Sequence, residues 1–154
     1  MKILRLEHDG KGVYSSGVLY RINMPNSMYD NRTPGPGKDL GLLKAAGFKD
    51  ALSVWDSSQI FSRLKKILDC NELDILFGFL NEYQMLAWFN AADLGALINE
   101  GVKVLEYDVP DASVIIGEKQ VVFDKNVARQ SAELTVRYRQ YTIPTWIEEG
   151  SPIV

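Results

Sequence analysis

Apolar and polar residues alternate from the first positions of the chain: in Lys2 to His8, KILRLEH, the side chains of Leu4, Leu6 and His8 fall on one face and those of Ile3, Arg5 and Glu7 on the other. That period of two predicts a strand. Asp9-Gly10-Lys11-Gly12 supplies turn chemistry, and Tyr14 to Gly17 leads into a second short extended stretch, Val18 to Ile22. From Asn23 to Asp39 the chain is rich in Pro, Gly and Asn, and Thr33-Pro34-Gly35-Pro36-Gly37 forbids regular helix, so a long surface loop is expected. The pattern then changes period. Ile60, Phe61, Leu64, Ile67 and Leu68 form one stripe of a helix capped at Ser57 or Ser58 and running to about Cys70. Leu73 to Phe79 reads as a buried strand, Asn81 caps a second helix carrying Met85, Leu86, Trp88 and Phe89, and Asp93 starts a third that stops at Gly101.

The second half returns to strands: Val102 to Val109 with a bulge near Val104-Leu105, then Ser113 to Ile116, Lys119 to Phe123 and Glu133 to Ile143. Strand, loop, helices and then several strands predict an α+β domain with split mixed or antiparallel sheets, not a regularly alternating doubly wound fold. No G-x-G-x-x-G or G-x-x-x-x-G-K-[ST] stands between a strand and a helix, which turns the reading away from the common nucleotide folds. The 154 residues suit one domain, with residues 1–124 as its core and 125–154 as a C-terminal strand and tail.

Composition then removes several chemistries. A net charge of -3 without a polybasic run argues against sequence-independent nucleic-acid binding. Cys70 is the sole cysteine and His8 the sole histidine, so a disulfide, a thiolate zinc site and any site needing two imidazoles are excluded within one chain. No serine sits in a G-x-S-x-G elbow. With no secretory h-region and no apolar run of about 20 residues, the expectation is a cytoplasmic protein that does not engage a membrane. Glu148-Glu149 and Asp108 with Asp111 read as solvated acids.

Three segments carry a resemblance. Ile3 to His8 followed by Gly10 to Tyr14, then Phe77 to Phe89 (FGFLNEYQMLAWF), and finally Leu97 to Val109 with Gly117 to Asp124 (GEKQVVFD) together resemble, in order, small phage and prophage proteins related to ADP-ribosyltransferases. The similarity spans about 120 residues and omits 125–154. It implies NAD as cofactor, held in a cleft between two sheets, and a host protein as acceptor or partner in the host cytoplasm. Carried over by residue, it assigns Arg5 to the dinucleotide, Phe79 and Asn81 to the nicotinamide ribose and Gln120 to the ribose 2′-hydroxyl, with Tyr14 and Ser15 lining the cleft. Many of these proteins have serine where this chain has Asn81, and the active transferases have glutamate where it has Gln120.

The second departure has a magnitude. Cleavage of the bond to nicotinamide develops positive charge, which a carboxylate at ~5 Å and an effective dielectric of ~20 stabilises by about 3 kcal/mol, roughly a hundredfold in rate. Glutamine keeps the hydrogen bond and loses that contribution. Glu118, two residues before Gln120, shares its face by period-two alternation, where it could orient an acceptor or, with the register shifted by two, supply the missing carboxylate. Each residue also has an ordinary structural role open to it: Arg5 as the partner of Glu7 or Glu106, Tyr14 and Ser15 in a turn, Trp88 and Phe89 in the core, Gln120 as a hydrogen-bonded strand amide. Two readings of other classes stand beside the NAD-dependent one: a non-catalytic inhibitor of a host or defence protein, and a structural protein forming a homo-oligomer through the strand at 133–143, where Val136 and Tyr138 alternate with Arg137 and Arg139.

Overall fold

The computed structural model describes residues 1–18, 39–48, 57–138, 144–146 and 151–152. In chain order the elements are β1 (Lys2–His8), β2 (Lys11–Gly12), α1 (Val13–Ser16), α2 (Leu40–Ala45), α3 (Ser57–Leu68), β3 (Ile75–Gly78), α4 (Glu82–Trp88), α5 (Ala91–Asn99), β4 (Lys103–Asp108), β5 (Val114–Ile116), β6 (Val121–Asp124), β7 (Arg129–Leu134), β8 (Val136–Tyr138), β9 (Pro144–Trp146) and β10 (Ser151–Pro152). The fold class is α+β, and every strand pairing described is antiparallel.

A five-stranded sheet runs β10-β7-β4-β1-β2 and a three-stranded sheet runs β3-β6-β5. They meet at one rung, where Leu4 and Phe79 exchange backbone hydrogen bonds of 2.8 and 2.7 Å. β1 spans the residues its alternation predicted, and the Asp9-Gly10 turn, with φ of 53° and 75°, folds it back onto β2. Its alternation nevertheless does not divide core from solvent: Ile3 on one face and Leu4, Leu6 and His8 on the other are all buried, as suits an interior strand.

Three apolar clusters fill the layers. Leu4 and Leu6 pack against Met85, Trp88, Leu94 and Leu97 of α4 and α5. Leu42, Leu43, Ile60, Leu64 and Leu68 of α2 and α3 cover Ile75, Ile115 and Val122 on the smaller sheet. On that sheet's other side, Val121 and Phe123 join Ile3 of the larger one and Val109 just beyond β4. Gly78 permits this closeness, since a Cβ there would stand 2.6 Å from Ile3 Cγ2 and 2.7 Å from the Leu4 carbonyl oxygen.

Several element boundaries differ from the sequence reading. Residues 72–74 form a 3-10 turn before β3, so Leu73 is 92% exposed and not the start of a buried strand. Asn90, not Asp93, caps α5: the Asn90 side chain accepts from the Asp93 N–H at 2.9 Å. The irregularity in β4 lies between Glu106 and Tyr107, two residues beyond the expected bulge, where pairing with β7 shifts register. Ile67 is half exposed, outside the helix stripe predicted to contain it. The C-terminal strand begins earlier than expected, with β7 seated beside β4 and β8 hydrogen-bonded to β9 of the same chain. Tyr14 to Ser16 belong to a helical turn, and the expected strand at 18–22 and loop at 23–39 fall almost wholly outside the described residues. No helix among the described residues is long and apolar enough to cross a membrane.

Candidate functional site

Asn81 ends the excursion of the chain from β3 and starts α4. Its side chain accepts the Gln84 N–H at 2.9 Å, and Gln84 Oε1 reaches back to accept the Leu80 N–H at 2.8 Å. This reciprocal pattern satisfies two N–H groups at the helix start and fixes where α4 points. The Gln84 amide then donates to the Glu118 carbonyl oxygen at 3.4 Å, joining the helix to the turn between β5 and β6. Between that turn and α4 lies an open depression of about 510 Å³, lined by Asn81, Tyr83, Gln84, Ala87, Trp88, Glu118 and Lys119.

The turn, Gly117 to Gln120, closes with the Gly117 N–H donating to the Gln120 carbonyl at 2.8 Å. β6 therefore begins at Val121, which corrects the placement of Glu118 and Gln120 on one face of a strand. Glu118 is exposed at the rim of the depression, whereas Gln120 is 3% exposed and outside its lining. Pairing ends there because Glu118 and Lys119 are the two central residues of the β5–β6 turn, and their N–H groups go to Asp39, which was expected in a loop. Asp39 is 1% exposed, and its carboxylate accepts the N–H groups of Glu118 at 2.7 Å and Lys119 at 3.0 Å.

Of the other residues the resemblance singled out, Phe79 packs edge-on against Trp88, with centroids 5.6 Å apart, and so backs the depression without lining it. Ser15 is exposed in α1, the turn that also holds Tyr14, and is not among the lining residues described. Arg5 is engaged elsewhere. Its Nε donates to Glu7 Oε2 at 3.2 Å and its Nη1 to the Phe77 carbonyl at 2.6 Å, and the Tyr107 hydroxyl donates to the same Glu7 oxygen. Arg5 and Glu7 side chains are each 13% exposed. Burial lowers the Arg5 pKa against the opposing pull of Glu7, and burial followed by the bond to Glu7 pushes the Tyr107 hydroxyl well above the ordinary tyrosine value. His8, buried beside α5, places Nε2 3.1 Å from the Glu100 carbonyl and Nδ1 3.4 Å from Asp9.

The depression thus joins Asn81 and Glu118, two of the residues named from sequence, with Tyr83, Gln84 and Lys119, which were not. Gln84 had a visible signal, the Asn-x-x-Gln spacing of a helix start. Asp39 had one too, an acid standing before the apolar residues Leu40, Leu42 and Leu43, where its side chain accepts the Leu42 N–H at 3.1 Å. Lys119 and Tyr83 had none, being surface residues joined only by the fold.

These features define an α+β protein whose five-stranded and three-stranded antiparallel sheets join at a single rung, with a partly polar depression beside the smaller of the two. The chain belongs to the Bacteriophage T4 Y00F protein family, whose model matches residues 1–137. It is also similar to an enterobacteria phage T4 protein described as an uncharacterized 19.7 kDa protein in the motB-dexA intergenic region, with 38% identity over 60 residues. That stretch covers 39% of this chain and 36% of the relative. No solved structure matches the chain.

Proposed function

We propose that this phage protein binds NAD or a related nucleotide in the depression between α4 and the β5–β6 turn, in the host cytoplasm, and that binding rather than ADP-ribosyl transfer is its main role. The observation supporting this reading is that two of the segments resembling ADP-ribosyltransferases, 77–89 and 117–124, supply both walls of the depression. Its volume falls within the roughly 300–1,000 Å³ of small-molecule sites. Tyr83, exposed beside the edge of the buried Trp88, offers aromatic surface to a base or nicotinamide ring, Lys119 a cation to a phosphate, and Asn81 and Gln84 amides to ribose hydroxyls.

Transfer chemistry fits less well. Glu118 is the carboxylate at the rim, and it is exposed. With the dielectric of water in place of ~20, its stabilisation of a positive centre ~5 Å away drops from about 3 to about 0.8 kcal/mol. Gln120 brings no charge. In this reading Arg5 supports the fold and does not touch the ligand. Calorimetric titration with NAD and with ADP-ribose is the test, combined with mass spectrometry of host lysate proteins for added ADP-ribose. Micromolar to low-millimolar binding that weakens at least about fivefold in Lys119→Ala and Tyr83→Ala, without added ADP-ribose, is expected. Absence of binding by the wild type at millimolar nucleotide refutes the reading.

A second reading, a non-catalytic inhibitor of a host or defence protein, draws on the opposite end of the smaller sheet. There Leu73 and Val127 are exposed on adjoining turns, linked by the Asn126 amide donating to Asp74 at 2.8 Å. Apolar side chains so exposed suit a protein contact. Capture of one host protein that Leu73→Ser abolishes, with nucleotide binding absent, favours this reading over the first.

A further inference from the structure

We propose that Asp39 is the positioning residue of the depression: its carboxylate, reaching across the fold, sets where Glu118 and Lys119 stand. The proposal rests on the nucleotide reading for its functional meaning, though not for its geometry. Asp39 Oδ1 accepts from the N–H groups of Leu42 and Glu118 at 3.1 and 2.7 Å, and Oδ2 accepts from Lys119 at 3.0 Å. One side chain thus caps α2 and holds two successive N–H groups of a turn 79 and 80 residues away. Successive N–H groups aimed at one point form an anion nest, and here the anion is built into the chain.

Two glycines make the approach possible. A Cβ at Gly41 would stand 2.5 Å from the Glu118 nitrogen, and one at Gly117 2.7 Å from Asp39 Oδ2. The start of α2 therefore lies against the turn with no side chain between them. On the other side of the turn, Gln84 donates to the Glu118 carbonyl. Held by its N–H groups from behind and by a carbonyl from the front, the turn presents Glu118 and Lys119 to the depression in a fixed place. A ligand meeting a wall already ordered loses less affinity to ordering it.

The test is Asp39→Asn in the full chain. The amide oxygen can still accept from Leu42 and Glu118, but its NH₂ then faces the Lys119 N–H, donor against donor. Hydrogen exchange at the Lys119 amide is expected to rise at least about tenfold, as for loss of a hydrogen bond to a charged group, while the Leu42 and Val122 amides change little. NAD affinity is expected to fall at least about fivefold. Ile60→Val, a core change in α3, is the control: it lowers stability while leaving Lys119 exchange relative to Val122, and affinity, unaltered. Unchanged Lys119 exchange in Asp39→Asn, or an equal rise throughout α2 and β6, overturns the proposal. So does a loosened turn with full NAD affinity. If the wild type binds no NAD while the Lys119 amide responds as expected, the nucleotide reading fails and the clasp on the turn stands.

Discussion

The buried group of Arg5, Glu7 and Tyr107 offers a sharp test of whether Arg5 serves the fold or a ligand. With both ionic side chains only 13% exposed, removing one strands the other in a poorly solvated place, which costs about 3–5 kcal/mol for a buried pair. Arg5→Met should fall near the low end, about 3 kcal/mol, because Glu7 keeps the Tyr107 hydroxyl as donor. Glu7→Leu should cost about 4 kcal/mol, since it leaves the guanidinium with the Phe77 carbonyl and removes the acceptor of Tyr107. The double variant removes both charges and should cost about 2–4 kcal/mol, giving a coupling of at least about 2 kcal/mol. Urea unfolding followed by far-UV circular dichroism reads these differences: at an m-value of about 2 kcal/mol/M, 3 kcal/mol moves the midpoint by about 1.5 M. Additivity of the single variants to within about 0.5 kcal/mol refutes the claim that the pair is a desolvated unit. If the double variant folds with undiminished NAD affinity, Arg5 is structural; selective loss of affinity would make it a ligand residue after all.

Three further outcomes follow from the surroundings of Tyr107, Cys70 and Gly78. Tyr107 holds its proton more tightly folded than unfolded, so its contribution is fully present below the ordinary tyrosine pKa near 10 and is lost as pH rises beyond it; wild type should lose more stability than Tyr107→Phe between about pH 9 and 11 in urea titrations. Cys70, its thiol pushed up by burial and then by Asp124, Asp74 and Asp69, should alkylate with iodoacetamide at pH 8 more slowly than free cysteine, and faster labelling would contradict that setting. Gly78→Ala forces a methyl against Ile3 and the Leu4 carbonyl and should cost about 1–3 kcal/mol by thermal unfolding, with no loss counting against the close packing at the sheet junction.

The parts of the fold that local patterning controls were legible in the sequence: β1 from its alternation, α3 from its helical stripe, α4 from the Asn81 cap, and the Asp9-Gly10 turn from its chemistry. Where a long-range contact decides, the reading slipped. The strand expected from Lys119 begins at Val121, because Gly117 to Gln120 close a turn whose two central N–H groups go to Asp39, far away in sequence. Leu73 looked buried because its apolar neighbours are, yet a 3-10 turn faces it outward. The candidate site was legible in two of its seven lining residues for the same reason. Asn81 and Glu118 sit in recognisable segments, whereas Lys119 and Tyr83 acquire a shared surface only when the turn between β5 and β6 comes to rest on α4.

The place of β1 in the larger sheet bears on how the chain is made. Lys2 to Glu7 pair with Asp108 to Lys103, so β1 waits for roughly a hundred more residues before its main neighbour is synthesised. At about 5–20 residues per second that is on the order of 5–20 s with two greasy flanks uncovered. The order of synthesis therefore favours early assembly of the helices, with β1 captured once β4 has emerged and the smaller sheet completed last by β5 and β6.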